Sequence, residues 1–375
     1  MSKTVHILLV SAQAAPNLLP ALDPAMKPDA AVLVVTEKMK TRAEALNRVL
    51  SESGIQTSQV DLVNEHDYAA LQTTLMELAT VREGDSIALN VTGGTKLMAL
   101  AAQSIAEAAG WAVFYIDMDT DQVIWLGNRA GQRQPLTEQL RLRHYLMGYG
   151  FDIPTGTPHL QTPPAWQPLI DTLLTQIGSL ETPLGTLNWL AQQAEDRRVL
   201  SVRLDEPQRD SRNLEALLRH FEDAGICRVQ GALLNFTSND ALAFAKGGWL
   251  EHHVFRTVAA LTAGLGLRDK AANLEVIDAG GVRNELDIAF LVRNRLFIIE
   301  CKTARMDSPK APKANDTLFK LAEIVRRVGG LGARGMLASY RPLRDSEQRL
   351  ARALSIELVC GAELARLPVR LKDWI

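Results

Sequence analysis

The stretch NELDIAFLVRNRLFIIECKT, Asn284 to Thr303, decides how the C-terminal part of the chain folds. Two runs rich in Ile, Phe, Leu and Val flank Arg293 and Asn294, and apolar runs joined by two turn residues read as a β-hairpin. With that turn Val292 faces Arg295, and counting back along both arms sets Asp287 opposite Glu300. Cross-strand partners of this kind have Cβ atoms roughly 5 Å apart, so the two carboxylates repel unless they share a partner. Lys302, two residues beyond Glu300, lies on the same face.

Hard oxygen donors in such a pair suit Mg²⁺ or Mn²⁺. The chemistry that uses them is metal-assisted phosphodiester cleavage, in which the ion acidifies a bound water and offsets charge on the phosphoryl oxygens. Lys302 would orient or help deprotonate that water, or stabilise the transition state. The Cys301 carbonyl is a further candidate metal ligand. The ordinary alternative is a salt bridge of Lys302 with Asp287 or Glu300 at a sheet end.

Upstream, GGWLEHHVFRTVAALTA, Gly247 to Ala263, has helical periodicity, with Glu251, Phe255 and Val258 on one face. Glu251 can therefore approach the hairpin site. His252 and His253 are adjacent, diverge on a helix, and are expected at the surface or behind the site rather than as paired ligands. Glu251 on a helix, Asp287 on one strand and Glu300-Cys301-Lys302 on the next resemble the PD-(D/E)xK nucleases, the restriction-endonuclease-like superfamily. Leu286 stands where the motif's name has proline. The resemblance implies that the helix Asp316 to Gly330 and the strand ARGMLASY complete the nuclease core. Lys320, Arg326, Arg327 and Arg334 are then candidates for substrate phosphates, each set against an ordinary solvated surface charge.

A chain of 375 residues exceeds one usual core, so two or three domains are expected. The 47% hydrophobic and 22% charged residues are ordinary for a globular protein. Three cysteines, Cys227, Cys301 and Cys360, without CxxC spacing argue against a disulfide framework or zinc site and fit a reducing cytoplasm. The apolar run Val5 to Val10 is shorter than a signal-peptide core and contains His6, so it reads as a first strand. No apolar run approaches a membrane span. The net charge of −2 hides an imbalance: +7 from Lys246 to Ile375 against −9 in the remainder. Only the basic third is expected to meet a polyanion.

The N-terminal region alternates short β-rich runs with helical segments. The runs are VHILLVS (5–11), AAVLVVTE (30–37), SQVDLV (58–63), SIALNV (86–91), AVFYIDMD (112–119) and QVIWLG (122–127). The helices are Leu18 to Met26, Lys40 to Ser53, Asp67 to Thr80 and Lys96 to Ala109. This pattern predicts a Rossmann-like parallel sheet, whose ligands sit beyond the C-terminal strand ends. Two loops there stand out: SAQAAPN, Ser11 to Asn17, and TGGTK, Thr92 to Lys96, which lacks both GxGxxG and the P-loop spacing. Paired glycines, a helix N-terminus and a lysine suit a phosphate-containing ligand.

These loops resemble those of CARF domains, the CRISPR-associated Rossmann-fold sensors. The resemblance implies that Ser11, Gln13, Thr92, Gly93, Gly94, Thr95 and Lys96 contact a cyclic oligoadenylate across a homodimer. Asn17, Thr36, Met39 and Asp117 are looser candidates at the same sheet edge. Phe151 to Pro168, rich in Pro and Thr, reads as a linker that continues neither helix nor sheet. Leu169 to Ala245 turns helical and ends in a hairpin at Gly231-Ala232, a winged-helix-like pattern expected to connect or dimerise.

The expected fold is therefore α/β, in four parts. Residues 1–150 form a Rossmann-like CARF sensor and 151–168 a linker. Residues 169–245 form a helical, winged-helix-like connector, and 246–375 a restriction-endonuclease-like α/β domain. The combination resembles ancillary nucleases of type III CRISPR systems. It implies a soluble, cytoplasmic, Mn²⁺- or Mg²⁺-dependent endonuclease, switched on by cyclic tetra-adenylate, that cleaves single-stranded DNA or RNA or nicks duplex DNA. The rival readings are a ligand-responsive DNA-binding transcription regulator and a restriction-type double-strand nuclease.

Overall fold

The computed structural model describes residues 2–375 except 138–139, 155, 157, 159, 262–264 and 305–313. The first domain has β1 (Thr4–Leu9), α1 (Ala15–Leu22), β2 (Ala30–Thr36), α2 (Lys40–Glu52), β3 (Gln56–Leu62), α3 (Tyr68–Val81), β4 (Ser86–Asn90), α4 (Lys96–Ala108), β5 (Ala112–Asp117), β6 (Gln122–Leu126) and β7 (Arg133–Pro135). Its sheet runs β3-β2-β1-β4-β5-β6-β7, parallel through β5 and antiparallel at β6 and β7. Strands β1 and β2 are almost wholly buried aliphatic runs, as a parallel sheet covered on both faces requires. The strand order reverses between β1 and β4, so the loops after those two strands flank the crevice at the switch point. Helix α1 begins earlier than its periodicity predicts. Pro16 falls in its first turn, where a missing N–H costs nothing.

A short helix α5 (Leu142–Gly148) leads into β8 (Phe151–Asp152). This corrects the linker reading of Phe151 to Pro168, because β8 pairs with Ile277 and Asp278 as the edge of the C-terminal sheet. Two residues suffice at an edge, where one side of the strand needs no partner. The proline-rich remainder holds, among its described residues, a 3₁₀ turn at Pro164–Trp166 and the first two residues of the helix that begins at Gln167.

The connector comprises α6 (Gln167–Thr175), α7 (Ile177–Asp196), β9 (Ser201–Arg203), α8 (Glu206–Arg209), α9 (Arg212–Asp223), β10 (Cys227–Gln230) and β11 (Leu233–Phe236). Its three strands run in the order β10-β11-β9, a winged-helix-like arrangement, and Ser211 caps α9 through the Leu214 amide. Helix α10 (Asn239–Ala243) passes through a kink, Phe244–Gly248, into α11 (Trp249–Ala260).

The last domain follows: β12 (Leu267–Asp278), β13 (Arg283–Val292), β14 (Arg295–Lys302), α12 (Ala314–Gly329), β15 (Arg334–Ser339), α13 (Asp345–Ala353), β16 (Ile356–Cys360) and α14 (Leu367–Trp374). Its sheet order is β16-β15-β14-β13-β12-β8. One face buries Ile288, Phe290, Phe297 and Ile299 against α11, α14 and the connector. The other buries Ala289, Leu291, Leu296 and Ile298 in a core shared with α1, α2 and α5 of the first domain. Polar contacts reinforce that junction: Leu140 N donates to Asn294 Oδ1 (2.9 Å), Leu142 N to Asp269 (2.9 Å), and the Tyr145 hydroxyl to the Gly329 carbonyl (3.1 Å).

Candidate active site and sensor loops

The hairpin has the expected two-residue turn. Arg293 and Asn294 carry φ of 47° and 58°, and Val292 pairs with Arg295 back to Ile288 with Ile299. Beyond that last pair, Asp287 places its carboxylate on the Cys301 amide at 2.7 Å. Lys302 Nζ lies 2.5 Å from Glu300 and 3.8 Å from Asp287. The three expected groups therefore meet, with the lysine between the carboxylates.

Asp287 stands where the strand changes face. Ala272 with Ile288 and Leu274 with Leu286 flank it in the β12–β13 pairing, yet the first pair belongs to one core and the second to the other. Strict alternation would put both on one side. Asn273, between them on β12, has φ of 51°, which asparagine tolerates better than most residues. Its side chain also hydrogen-bonds Glu251 from α11. Asn273 thus ties the helix carboxylate to the sheet, a role that only the pairing of β12 reveals. The interrupted alternation of AANLEV was its one trace in the sequence.

The electrostatics follow from crowding. Burial first, and then the nearby Glu300 charge, lift Asp287 from 3.8 to about 7. Glu251 is raised by burial and by Glu285. Burial alone would lower Lys302, but Asp287 and Glu300 outweigh it and hold the ammonium above its ordinary value. The Cys301 thiol is buried and pushed up by desolvation, so the side chain is inert and only its backbone can serve the site. Among the described residues no group of three or more His, Cys, Asp or Glu side chains converges ready to hold a metal. The donor set nevertheless fits a hard cation in its chemistry: three carboxylate side chains, Glu251, Asp287 and Glu300, gather around one lysine and offer hard oxygen donors.

Several expected side chains take other roles. His252 and His253 are buried, not surface groups. His252 meets the Thr162 hydroxyl at 2.9 Å between Trp166 and Phe244, and His253 the Leu364 carbonyl at 3.2 Å. Helix α11 is packed nearly all round, so divergence of adjacent residues does not bring either to solvent. Arg326 pairs with Glu323, Arg327 with Asp278, and Arg334 donates to the Trp374 carbonyl, while Lys320 is exposed.

The sensor loops are shaped by packing. A Cβ on Gly93 would sit 2.1 Å from the Leu9 carbonyl oxygen, and Gly94 has φ of 72° against the Leu9 side chain, so the glycine pair lets the loop close over β1. The Thr92 hydroxyl donates to Asn90 and accepts from the Ile116 amide, both at 2.7 Å, and Thr95 caps α4 through the Met98 amide. Beneath them Asn90 donates to Asn17, which donates to the Leu9 carbonyl at 3.1 Å. Both asparagines are buried, and Asn90 was legible only as a polar end to an apolar strand. Asp117 is occupied by Thr120 and the Asp119 amide. Ser11 accepts from the Gln13 amide, and Lys96 is exposed on the first turn of α4. Gln13 Oε1 faces away from these, accepting from the Tyr149 hydroxyl at 3.2 Å and the Leu331 amide at 3.3 Å.

Comparison with known proteins finds a match for each end of the chain. Residues 5–145 match the family model of the Card1 CARF domain, and residues 238–375 that of the Card1-like endonuclease domain. Protein VC1899 from Vibrio cholerae is 26% identical, with a TM-score of 0.88 over 99% of this chain and 97% of its own. Can2 from Sulfobacillus thermosulfidooxidans, solved with cyclic tetra-adenylate, is also 26% identical, with a TM-score of 0.83 over 99% of both chains. A type III CRISPR defence DNA nuclease activated by cyclic oligoadenylate shares the fold at 21% identity, TM-score 0.55, over 90% of this chain and 45% of its own. A search of curated proteins finds no match. No helix among the described residues is long and apolar enough to cross a membrane. With both models matched in order and full-length likeness to VC1899 and Can2, the chain carries a Card1-type CARF domain followed by a Card1-like endonuclease domain.

Proposed function

We propose that this endonuclease cleaves single-stranded DNA or RNA, and can nick duplex DNA, with Mn²⁺ or Mg²⁺, when cyclic tetra-adenylate occupies its sensor as part of type III CRISPR defence. The observation that carries the catalytic half is the meeting of Asp287, Glu300 and Lys302 at the end of one hairpin, with Glu251 coupled to them from α11. Glu251, Asp287, Glu300 and the Cys301 carbonyl would hold the ion, which when bound supplies Lewis acidity at the phosphate and an acidified water. The protein's own groups do the positioning. Lys302, kept protonated by its two carboxylates, donates to the reacting oxygens, and Asp287 is steadied by the Cys301 amide.

On the sensor side, Lys96, the backbone of Gly93 and Gly94, and the N-terminus of α4 face the crevice at the switch point, where an anionic ring is favoured. The hydroxyl of Thr92, which donates to Asn90 and accepts from the Ile116 amide, holds the loop, and that of Thr95, which accepts from the Met98 amide, keeps its O–H to donate to the ring. A homodimer suits a ring with even-fold symmetry. Tyr68 and Met76 of α3, with Leu97 and Leu100 of α4, are exposed on neighbouring helices joined by Gln72 and Ser104, an apolar face of the kind a partner covers. Gln13 spans from the Ser11 loop to Leu331 of the nuclease domain, so a ring seated beside it acts directly on that contact.

The test is a cleavage assay with Mn²⁺, with and without cyclic tetra-adenylate, on single- and double-stranded substrates. Cleavage of single strands only when the ring is added is the expected result; equal cleavage without it refutes the switch. Glu300→Ala should abolish cleavage and leave ring affinity nearly intact. Wild-type cleavage by that variant would refute the site.

A further inference from the structure

The two elements that carry the site meet at their roots as well as at the carboxylates. Glu251 lies one helical turn beyond Gly247, and Lys302 is followed directly by Thr303. Gly247 sits in the kink between α10 and α11 with φ of 146°, a conformation that L side chains rarely adopt. A Cβ there would lie 2.2 Å from the Thr303 hydroxyl oxygen. The backbone before α11 therefore rests on Thr303, with no room for a side chain between them.

Thr303 is held in turn by Asn188, buried in the middle of α7. With its amide oriented to satisfy its neighbours, Asn188 accepts from the Thr303 hydroxyl and donates to the carbonyls of Leu184 and Ala245, each at 3.1 Å. Ala245 lies in the same kink, where the non-helical Gly247 interrupts the regular helical pairing between α10 and α11. One side chain thus joins the root of the Glu251 helix to the residue after Lys302. Helix α7 is fastened to the same strand ends elsewhere. The Tyr340 hydroxyl donates to the Ile177 carbonyl at 2.8 Å, and Arg341 reaches Glu181 at 2.5 Å and its carbonyl at 3.0 Å. The Tyr340 amide in turn donates to the Lys302 carbonyl at 2.8 Å.

We propose that Thr303, held by Asn188 and fitted against Gly247, is a positioning residue for cleavage: it sets Glu251 in register with Glu300 and Lys302 and makes the connector helix a brace for the active site. The proposal rests on the catalytic reading above. An error at Gly247 is carried one turn along α11 to Glu251, and misplacement of reacting groups by about 1 Å can cost on the order of a hundredfold in rate.

Thr303→Val keeps the shape and removes the hydroxyl, whereas Thr303→Ser keeps the hydroxyl. Measured at saturating ring and Mn²⁺, Thr303→Val should lower kcat about tenfold or more with KM and ring affinity little changed, and Thr303→Ser should recover most of the rate. Asn188→Ala reads the same contact from the other side and stands in if Thr303→Val melts below the assay temperature. Glu300→Gln is run beside them. If Glu300→Gln is inactive while Thr303→Val, or Asn188→Ala in its place, cleaves within about twofold of wild type, the positioning role is overturned and the site reading stands. A Thr303→Ser variant as slow as Thr303→Val also overturns it, because the hydroxyl would then not be what matters. Wild-type cleavage by Glu300→Gln overturns the site reading itself, and this proposal with it.

Discussion

Replacing His6 by leucine should remove a specific part of this protein's sensitivity to acid. His6 lies on β1, 5% exposed, with its ring against Phe114 at 5.4 Å and Nδ1 without a hydrogen-bond partner among the described residues. Burial lowers its pKa from 6.5 to about 4. Above pH 6.5 the ring is neutral in both the folded and unfolded chain and contributes no pH dependence. Between 6.5 and 4 the unfolded chain takes up a proton that the folded domain refuses, so stability falls as pH falls. A displacement of about 2.5 units at about 1.4 kcal/mol each sets a ceiling of roughly 3 kcal/mol, a large share of a typical domain's stability. His252, also lowered to about 4 by burial, and His253 slope the same way and remain in the variant. The assay is urea unfolding of wild type and His6→Leu at steps from pH 7.5 to 4.5, followed by a probe in the first domain. The stability difference between the two proteins should move by roughly 2–3 kcal/mol in favour of the leucine variant as pH falls. Parallel curves would refute the argument, because His6 would then be charging without cost in the fold.

Gly93→Ala forces a methyl group to within 2.1 Å of the Leu9 carbonyl, so the loop must move at a cost of about 1–3 kcal/mol. Ring titration should show clearly weakened binding, while an ordinary affinity would mean that the loop's shape is not what the ring reads. Lys96→Ala, at an exposed position, should raise the ring concentration needed for half-maximal cleavage severalfold without lowering thermal stability. Unchanged activation would remove Lys96 from the ring site. Gln13→Ala cuts the link to Tyr149 and Leu331, and comparison of cleavage with and without the ring should show altered activation with kcat at saturation near wild type. An unaltered activation curve would show that the signal crosses elsewhere in the shared core.

The hairpin was legible because its information is local. A two-residue turn and a period of two settle which residues face each other, and NELDIAFLVRNRLFIIECKT contains both. The sensor sheet was legible for a similar reason: buried parallel strands write continuous aliphatic runs, and Gly93-Gly94 marks the turn between strand and helix. What the sequence could not contain are contacts made by residues far apart in the chain. Asn273 looks like a break in a strand until its pairing sets it beside Asp287 and Glu251. Gln13 reads as a ligand residue until Leu331, more than three hundred residues later, takes its carbonyl oxygen. Thr303 reads as the end of a motif until Asn188 and Gly247 close on it. His252 and His253 sit on a helix whose periodicity promises an exposed side, which packing of α6 and α14 around α11 removes. Local sequence chose the elements and the chemistry, since both depend on residues a few positions apart. Tertiary structure chose which side chains touch the site and which merely hold it, since burial and long-range hydrogen bonds exist only once those elements are packed.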